Sequence, residues 1–143
     1  FKLTTGTWVH VGGLRVGTLD AAAPLLQDAV VTGHNRDYLG LLAWPNVAEC
    51  RKLAPSAGED PAELCRAPEV VERVRDCLRS RNAAQKGSST RIERVLLMAE
   101  PPSLDANEIT DKGYINQRAT LERRAALVEK LYQDPPADGV IVL

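Results

Sequence analysis

Two compact apolar runs, AVVTGH at residues 29–34 and YLGLLAW at residues 38–44, leave only the turn residues HNRD to join them. A link this short connects antiparallel neighbours, because parallel strands need a crossover of a dozen residues or more. The pair therefore predicts two adjacent antiparallel strands at the heart of a small sheet. Upstream, FKLTTGTWVHVGGLRV alternates apolar and polar residues about Thr4, Thr5 and Gly6, the pattern of strand, tight turn and strand. It predicts an N-terminal β-hairpin. Residues 19–27 follow as a short helix-like run that Pro24 weakens.

Beyond Trp44 the chemistry becomes helical. Prolines, an isolated Gly58 and many alanines in PNVAECRKLAPSAGEDPAELCRAPE mark helical turns on either side of a loop at residues 54–60. Over residues 68–85, Val71, Val74 and Leu78 recur at helical spacing while Glu72, Arg73, Arg75, Asp76 and Arg79 fill the other face, as in a helix lying on a sheet. KGSST stops that helix, and RIERVLLMAEPPS supplies a third strand centred on residues 95–98. A last helix at residues 116–132 carries Leu121, Ala125, Val128 and Tyr132 along one stripe and ends at QDPPADG, leaving residues 134–143 as a tail. The expectation is one α+β domain spanning residues 1–143, with a small, mainly antiparallel three-stranded sheet flanked by helices and an N-terminal β-hairpin.

Charge and composition remove several functional classes. Eighteen Lys and Arg against nineteen Asp and Glu leave a net charge of −1, and one Phe with three Tyr make no stacking surface, so nucleic acid is not an expected partner. No apolar run approaches the roughly 20 residues that span a bilayer, and no membrane role is expected. Cys50, Cys65 and Cys77 are widely spaced and accompanied by two histidines, which favours neither a disulfide framework nor a metal site and suits a cytoplasmic protein. The chain opens at Phe1 directly into a strand-like segment and is expected to be part of something longer. Its Ala- and Arg-rich composition suits a bacterial source.

Phosphate-loop, dinucleotide, nucleophile-elbow and H-E-x-x-H motifs are all missing. His10 and His34 read as ordinary surface or edge residues, and the acids Glu49, Glu59, Asp60 and Glu63 as solvated decoration. Two places offer more. At the hairpin tip KLTTGTW, Gly6 allows close backbone approach and Thr4, Thr5 and Thr7 offer hydroxyls. In EITDKGY, Lys112 sits in a loop before the last helix, where it could reach outward as a point charge towards a phosphate or carboxylate oxygen. On residue types alone a plain turn and a plain exposed lysine are the better accounts of the two.

These two places, with the segments between them, carry a resemblance. FKLTTGTWV, VVTGHNRDYLGLLAWPN and EITDKGYINQRATLERRAALVEKLY resemble the C-terminal domain of AMP-forming acyl-CoA synthetases in the adenylate-forming superfamily, most closely the feruloyl-CoA synthase group. The resemblance implies a partner, the chain's own N-terminal domain, which would bind ATP, Mg2+ and a small-molecule carboxylic acid such as ferulate or another aromatic acid. The small domain would swing between two positions, one forming the acyl-adenylate and the other the thioester with coenzyme A. It further implies that Lys112 bridges the α-phosphate and the substrate carboxylate, that Thr5 and Gly6 approach the pantetheine arm of coenzyme A, and that Lys2 lies near the acyl-adenylate in the second position. Two departures stand out. The family commonly has Ser-Gly before the late lysine, whereas Thr110 and Asp111 precede Lys112 and Gly113 follows it, and the early motif here continues with Trp8 and GGLRVGTLDAAA. A stand-alone binding or regulatory module of the same fold, and an adenylation domain that feeds a carrier protein, are the alternatives.

Overall fold

The computed structural model describes residues 1–87 and 89–143. The two apolar runs pair as expected: β1 (Leu26–Thr32) lies antiparallel to β2 (Leu39–Pro45), with Val30 opposite Leu42 and Val31 opposite Leu41. Every residue of β2 is buried, because the strand is central and both of its faces are covered. Its other neighbour, β3 (Ile92–Leu97), runs parallel to it with Leu41 opposite Val95. On the far edge β4 (Val140–Val142) pairs antiparallel with β3, giving the order β1-β2-β3-β4.

The sheet is thus mixed and four-stranded, which corrects the expected mainly antiparallel three-stranded one. The long connection from β2 to β3 folds as α2 (Val47–Leu53), a 3₁₀ turn at Pro55–Ala57, α3 (Pro61–Arg66) and α4 (Pro68–Ala83). A helical crossover of this length brings the chain back in the same direction, so β3 enters parallel. The fourth strand comes from the presumed tail, where Ile141 supplies the apolar contact that holds it on the sheet edge.

Successive side chains of a strand point to opposite faces, and the core divides accordingly. Ala29, Val31, Leu41, Ala43, Val95 and Leu97 face one layer built with Leu64, Val70, Val74 and Leu78. Val30, Leu42, Trp44, Leu96 and Met98 face the other, where Leu131 and the half-buried Leu121, Leu127 and Val128 cover them. The second layer comprises α5 (Gln117–Arg123) and α6 (Ala125–Leu131), two short helices in place of the single one expected. The break falls at Arg124, whose φ of −102° and ψ of 30° depart from helix. The buried line on this pair runs through Thr120, Arg124 and Leu131, while Ala125 from the expected stripe is exposed.

The N-terminal hairpin is smaller than its sequence suggests. Lys2 bridges to Trp8, and the chain then enters α1 (Val11–Ala21) rather than a second strand. His10 caps that helix, its Nδ1 accepting from the Gly13 N–H at 3.4 Å. Leu14 and Thr18 are buried four residues apart, a helical spacing that Gly17 between them and Gly12 and Gly13 before them obscure in a search for alternation. With residues 11–21 used here, the helix expected at 19–27 gives way to a turn and to β1. Among the described residues no helix is long and apolar enough to cross a membrane.

Candidate functional site

Lys112 stands at the tip of a second, minimal hairpin. Ile109 bridges to Ile115, the Thr110 N–H donates to the Tyr114 carbonyl at 2.9 Å, and the Gly113 N–H donates back to the Thr110 carbonyl at 2.9 Å. The Thr110 hydroxyl accepts from the Tyr114 N–H at 3.1 Å. Gly113 has φ = +87°, a conformation in which a Cβ is strained, so the turn needs glycine after the lysine. Lys112 is exposed, and among the described residues it makes no hydrogen bond or ion pair. Replacing Gly113 by valine is expected to cost about 1–3 kcal/mol of local strain. The readout is faster hydrogen exchange at the Thr110 and Tyr114 amides, with the amides of β2 unchanged.

The base of this hairpin is held from several sides. Ile115 packs into the second core layer, and the Asn116 side chain accepts from the Ala119 N–H at 3.1 Å, capping α5. Gln117 then pairs with the free edge of β1, its amide donating to the Val31 carbonyl at 2.6 Å and accepting from the Val31 N–H at 3.0 Å. A side-chain amide thereby does for the edge strand what a neighbouring strand would do, and fixes α5 to the sheet.

On the other arm Glu108 is fully buried. Its Oε2 accepts from Arg124 Nε at 2.7 Å, and its Oε1 accepts from Arg124 Nη2 at 3.0 Å, Arg123 Nη1 at 2.9 Å and the Ser103 N–H at 2.9 Å. The Arg124 guanidinium also donates to the carbonyls of Glu100 and Pro101, both at 3.0 Å, and lies 5.3 Å from the Trp44 ring. Hydrogen bonding from Arg124 holds the Glu108 carboxyl below the ordinary carboxylate range against the opposing effect of burial, with the Ser103 N–H helping. One guanidinium thus ties the Lys112 hairpin to the exit of β3 and to the end of β2.

Lys2, Thr5 and Gly6 come together on the N-terminal loop. Leu3 and Val9 are its buried anchors, both in the first core layer. The Leu3 N–H donates to the Thr7 carbonyl at 3.1 Å and the Gly6 N–H to the Leu3 carbonyl at 2.9 Å, while Gly6 has φ = +82° and open space where a Cβ would point. The Thr5 hydroxyl donates to that of Thr7 at 3.1 Å, and Lys2 Nζ lies 4.6 Å from the ring of Trp8, itself 71% exposed. Thr4 fastens the loop to the β1–β2 turn through the Arg36 carbonyl and Asp37 Oδ1.

Lys112 is not part of that group. Among the described residues no hydrogen bond or ion pair joins the two loops. Because Leu3 and Val9 belong to one core layer and Ile115 to the other, the loops are rooted on opposite faces of the sheet. His34 keeps an ordinary role, its ring edge-on to Phe1 at 6.1 Å. The residues that sequence reasoning missed are Glu108, Arg123 and Arg124. The available signal was helical spacing: Arg124 lies four residues after the buried Thr120 and seven before the buried Leu131, on a face where a charge needs a partner.

The same fold occurs in adenylating enzymes. The A domain of carboxylic acid reductase from Segniliparus rugosus, solved with AMP and a co-purified carboxylic acid, superposes with a TM-score of 0.66 at 20% identity over 92% of this chain and 19% of that one. The adenylation domain of a carboxylate reductase from Mycobacterium chelonae superposes with a TM-score of 0.68 at 20% identity over 94% of this chain and 19% of that one. The A-PCP didomain of the Segniliparus enzyme, solved with AMP, gives a TM-score of 0.61 at 19% identity over 92% of this chain and 17% of that one. This chain therefore spans about a fifth of the length of these structural neighbours. No curated protein matches the sequence. The family model of the AMP-binding enzyme C-terminal domain matches residues 16–135, a span that contains the Lys112 hairpin and its Glu108–Arg124 anchor and begins after the Lys2–Trp8 loop. With most of its length matched, the chain belongs to the family of AMP-binding enzyme C-terminal domains.

Proposed function

We propose that this chain is the mobile C-terminal domain of a larger enzyme that activates a carboxylic acid with ATP and passes the acyl group to a thiol. The observation that carries the reading is the pair of loops rooted on opposite sheet faces, one ending in Lys112, which is unpaired among the described residues, and the other bearing Lys2, Thr5 and Gly6. A domain built this way offers one face to each of two reactions, and a rotation exchanges them.

In the first reaction a carboxylate oxygen of the substrate attacks the α-phosphorus of ATP, the acyl–phosphate bond forms, and the bond to the β-phosphate breaks as pyrophosphate leaves. Both reactants are anions. Lys112, which has no carboxylate partner among the described residues, supplies a positive charge between the attacking carboxylate and the α-phosphate and lowers their repulsion. Mg2+ is assigned with ATP to the N-terminal domain, as the resemblance to acyl-CoA synthetases implies. In the second reaction a thiol sulfur attacks the acyl carbon and AMP departs. The Lys2–Trp8 loop is suited to this step, since the open space at Gly6 admits a narrow arm and Lys2 brings a cation towards the departing phosphate.

An aromatic acid such as ferulate as substrate, and coenzyme A as acceptor, rest on the resemblance to feruloyl-CoA synthases. The A-PCP didomain among the structural neighbours favours a second reading of the acceptor alone, a carrier-bound thiol. Full-length protein assayed with ATP and ferulate is expected to show acid-dependent pyrophosphate exchange, and the acyl product on coenzyme A or on a carrier protein identifies the acceptor. The 143-residue chain alone is expected to release no pyrophosphate. Exchange catalysed by the chain alone would overturn the reading of a domain that completes a site elsewhere.

A further inference from the structure

We infer that Glu108 is a positioning residue for adenylation, setting the height and direction of the Lys112 hairpin through its buried pairing with Arg124; the inference rests on the role proposed for Lys112. The geometry is specific. Glu108 joins the hairpin arm directly, its carbonyl accepting from the Asn116 N–H at 2.8 Å across the base, and Ile109 next to it forms the only bridge of the hairpin found among the described residues. Beyond that bridge the hairpin depends on its own turn, so its orientation is set at the base. There the carboxylate meets four donors from three residues, Arg123, Arg124 and Ser103.

The other half of the pair is just as constrained. The Arg124 guanidinium donates to two carbonyls at the exit of β3, Glu100 and Pro101, and the Glu100 carbonyl also accepts from Trp44 Nε1 at 2.9 Å. The hairpin base is thus referenced to β2 and β3, the two central strands of the sheet, through rigid planar groups and not through a flexible linker. A buried ion pair often contributes little net stability, since desolvating two charges offsets most of their attraction, and its best-supported use is to fix one arrangement among several. Apolar residues of similar volume could hold helix and loop together here; they could not fix the hairpin to within the tolerance that a catalytic cation requires. Misplacing a catalytic group by 1 Å can cost about 10²-fold in rate.

The test uses the full-length protein and measures the two half-reactions separately, with Lys112→Ala as reference. Glu108→Gln keeps the shape and removes the charge that Arg124 and Arg123 share. The expected result is a loss of about 10²-fold in kcat for acyl-adenylate formation with little change in KM for ATP, and an unimpaired transfer from supplied acyl-adenylate to the thiol. Adding Glu108→Gln to Lys112→Ala should cause no further loss, because a residue that acts through Lys112 has nothing left to position. Glu108→Asp, which retains the charge on a shorter arm, should recover part of the rate and serves alone if the amide variant does not fold. Equal losses in both half-reactions, or a full additional loss in the double variant, would reduce Glu108 to a structural residue and overturn the inference. A normal adenylation rate in Lys112→Ala would instead remove the underlying reading of Lys112, whatever Glu108→Gln does.

Discussion

Full-length Lys112→Ala is expected to form acyl-adenylate about 10²-fold or more slowly than the parent, while transfer from a supplied acyl-adenylate proceeds at the parental rate. The magnitude follows from the role proposed for the lysine. A carboxylate and a triphosphate repel each other as they approach, and the transition state gathers further charge on the oxygens around the α-phosphorus. A cation already in place lowers that barrier without solvent reorganisation, and deleting one such electrostatic contact typically costs two to three orders of magnitude, or about 3–4 kcal/mol. Lys112 is suited to the task by what it lacks: no carboxylate of the described domain engages it, so its charge is available to a target outside. Lys112→Arg is expected to recover little, because a bulkier planar fork does not reproduce the compact point charge of an ammonium. Pyrophosphate exchange reads the first half-reaction, and single-turnover thioester formation reads the second.

The largest stability effect is expected at the other end of the same hairpin. Arg124→Ala leaves the Glu108 carboxylate buried with Arg123 and the Ser103 N–H as its remaining donors, and removing one partner of a buried ion pair costs about 3–5 kcal/mol. Denaturant unfolding should show this as a lower midpoint with an unchanged slope. Replacing both members with leucine is expected to cost much less than Arg124→Ala alone, since no charge is then stranded. The pH dependence carries the same signature. The Glu108 carboxyl is depressed in the folded state, so its contribution is present above the unfolded carboxyl pKa of about 4.3 and is lost as the pH falls through the lower folded value. Between pH 5 and pH 3 the parent should lose more stability than Glu108→Gln, which has no carboxyl to protonate at that position.

How far these features could be read from sequence depends on the range of the interactions that create them. The β1–β2 pair and the amphipathic helix α4 were legible because their signals are local: a short turn between apolar runs, and a 3.6-residue repeat of Val and Leu. The parallel entry of β3 and the addition of β4 are decisions made across the whole chain, and the three-residue β4 is too short to show a pattern of its own. Helix α1 was mistaken for a strand because Gly12, Gly13 and Gly17 weaken the helical signal that Leu14 and Thr18 supply, and His10 looks like an edge residue until its capping contact with Gly13 is seen. At the candidate site, Lys112 and Gly113 stood out as a lysine in a turn, which is local chemistry. Glu108 and Arg124 did not, since a buried ion pair is two charged residues sixteen positions apart whose burial is decided by tertiary packing. The rooting of the two loops on opposite faces likewise became visible only with the sheet assembled.

That division between faces meets its most direct test in a paired measurement on full-length Lys112→Ala and Gly6→Val. Gly6 has φ = +82° and lies at the loop proposed to admit the thiol, so valine there introduces both strain and bulk at the second face. Rates of acyl-adenylate formation and of thioester formation from supplied acyl-adenylate are to be taken for each variant. A crossed pattern is predicted, with Lys112→Ala impaired in the first half-reaction only and Gly6→Val in the second only. Parallel losses, each variant slowing both half-reactions to the same extent, would contradict a domain that uses one face for each step.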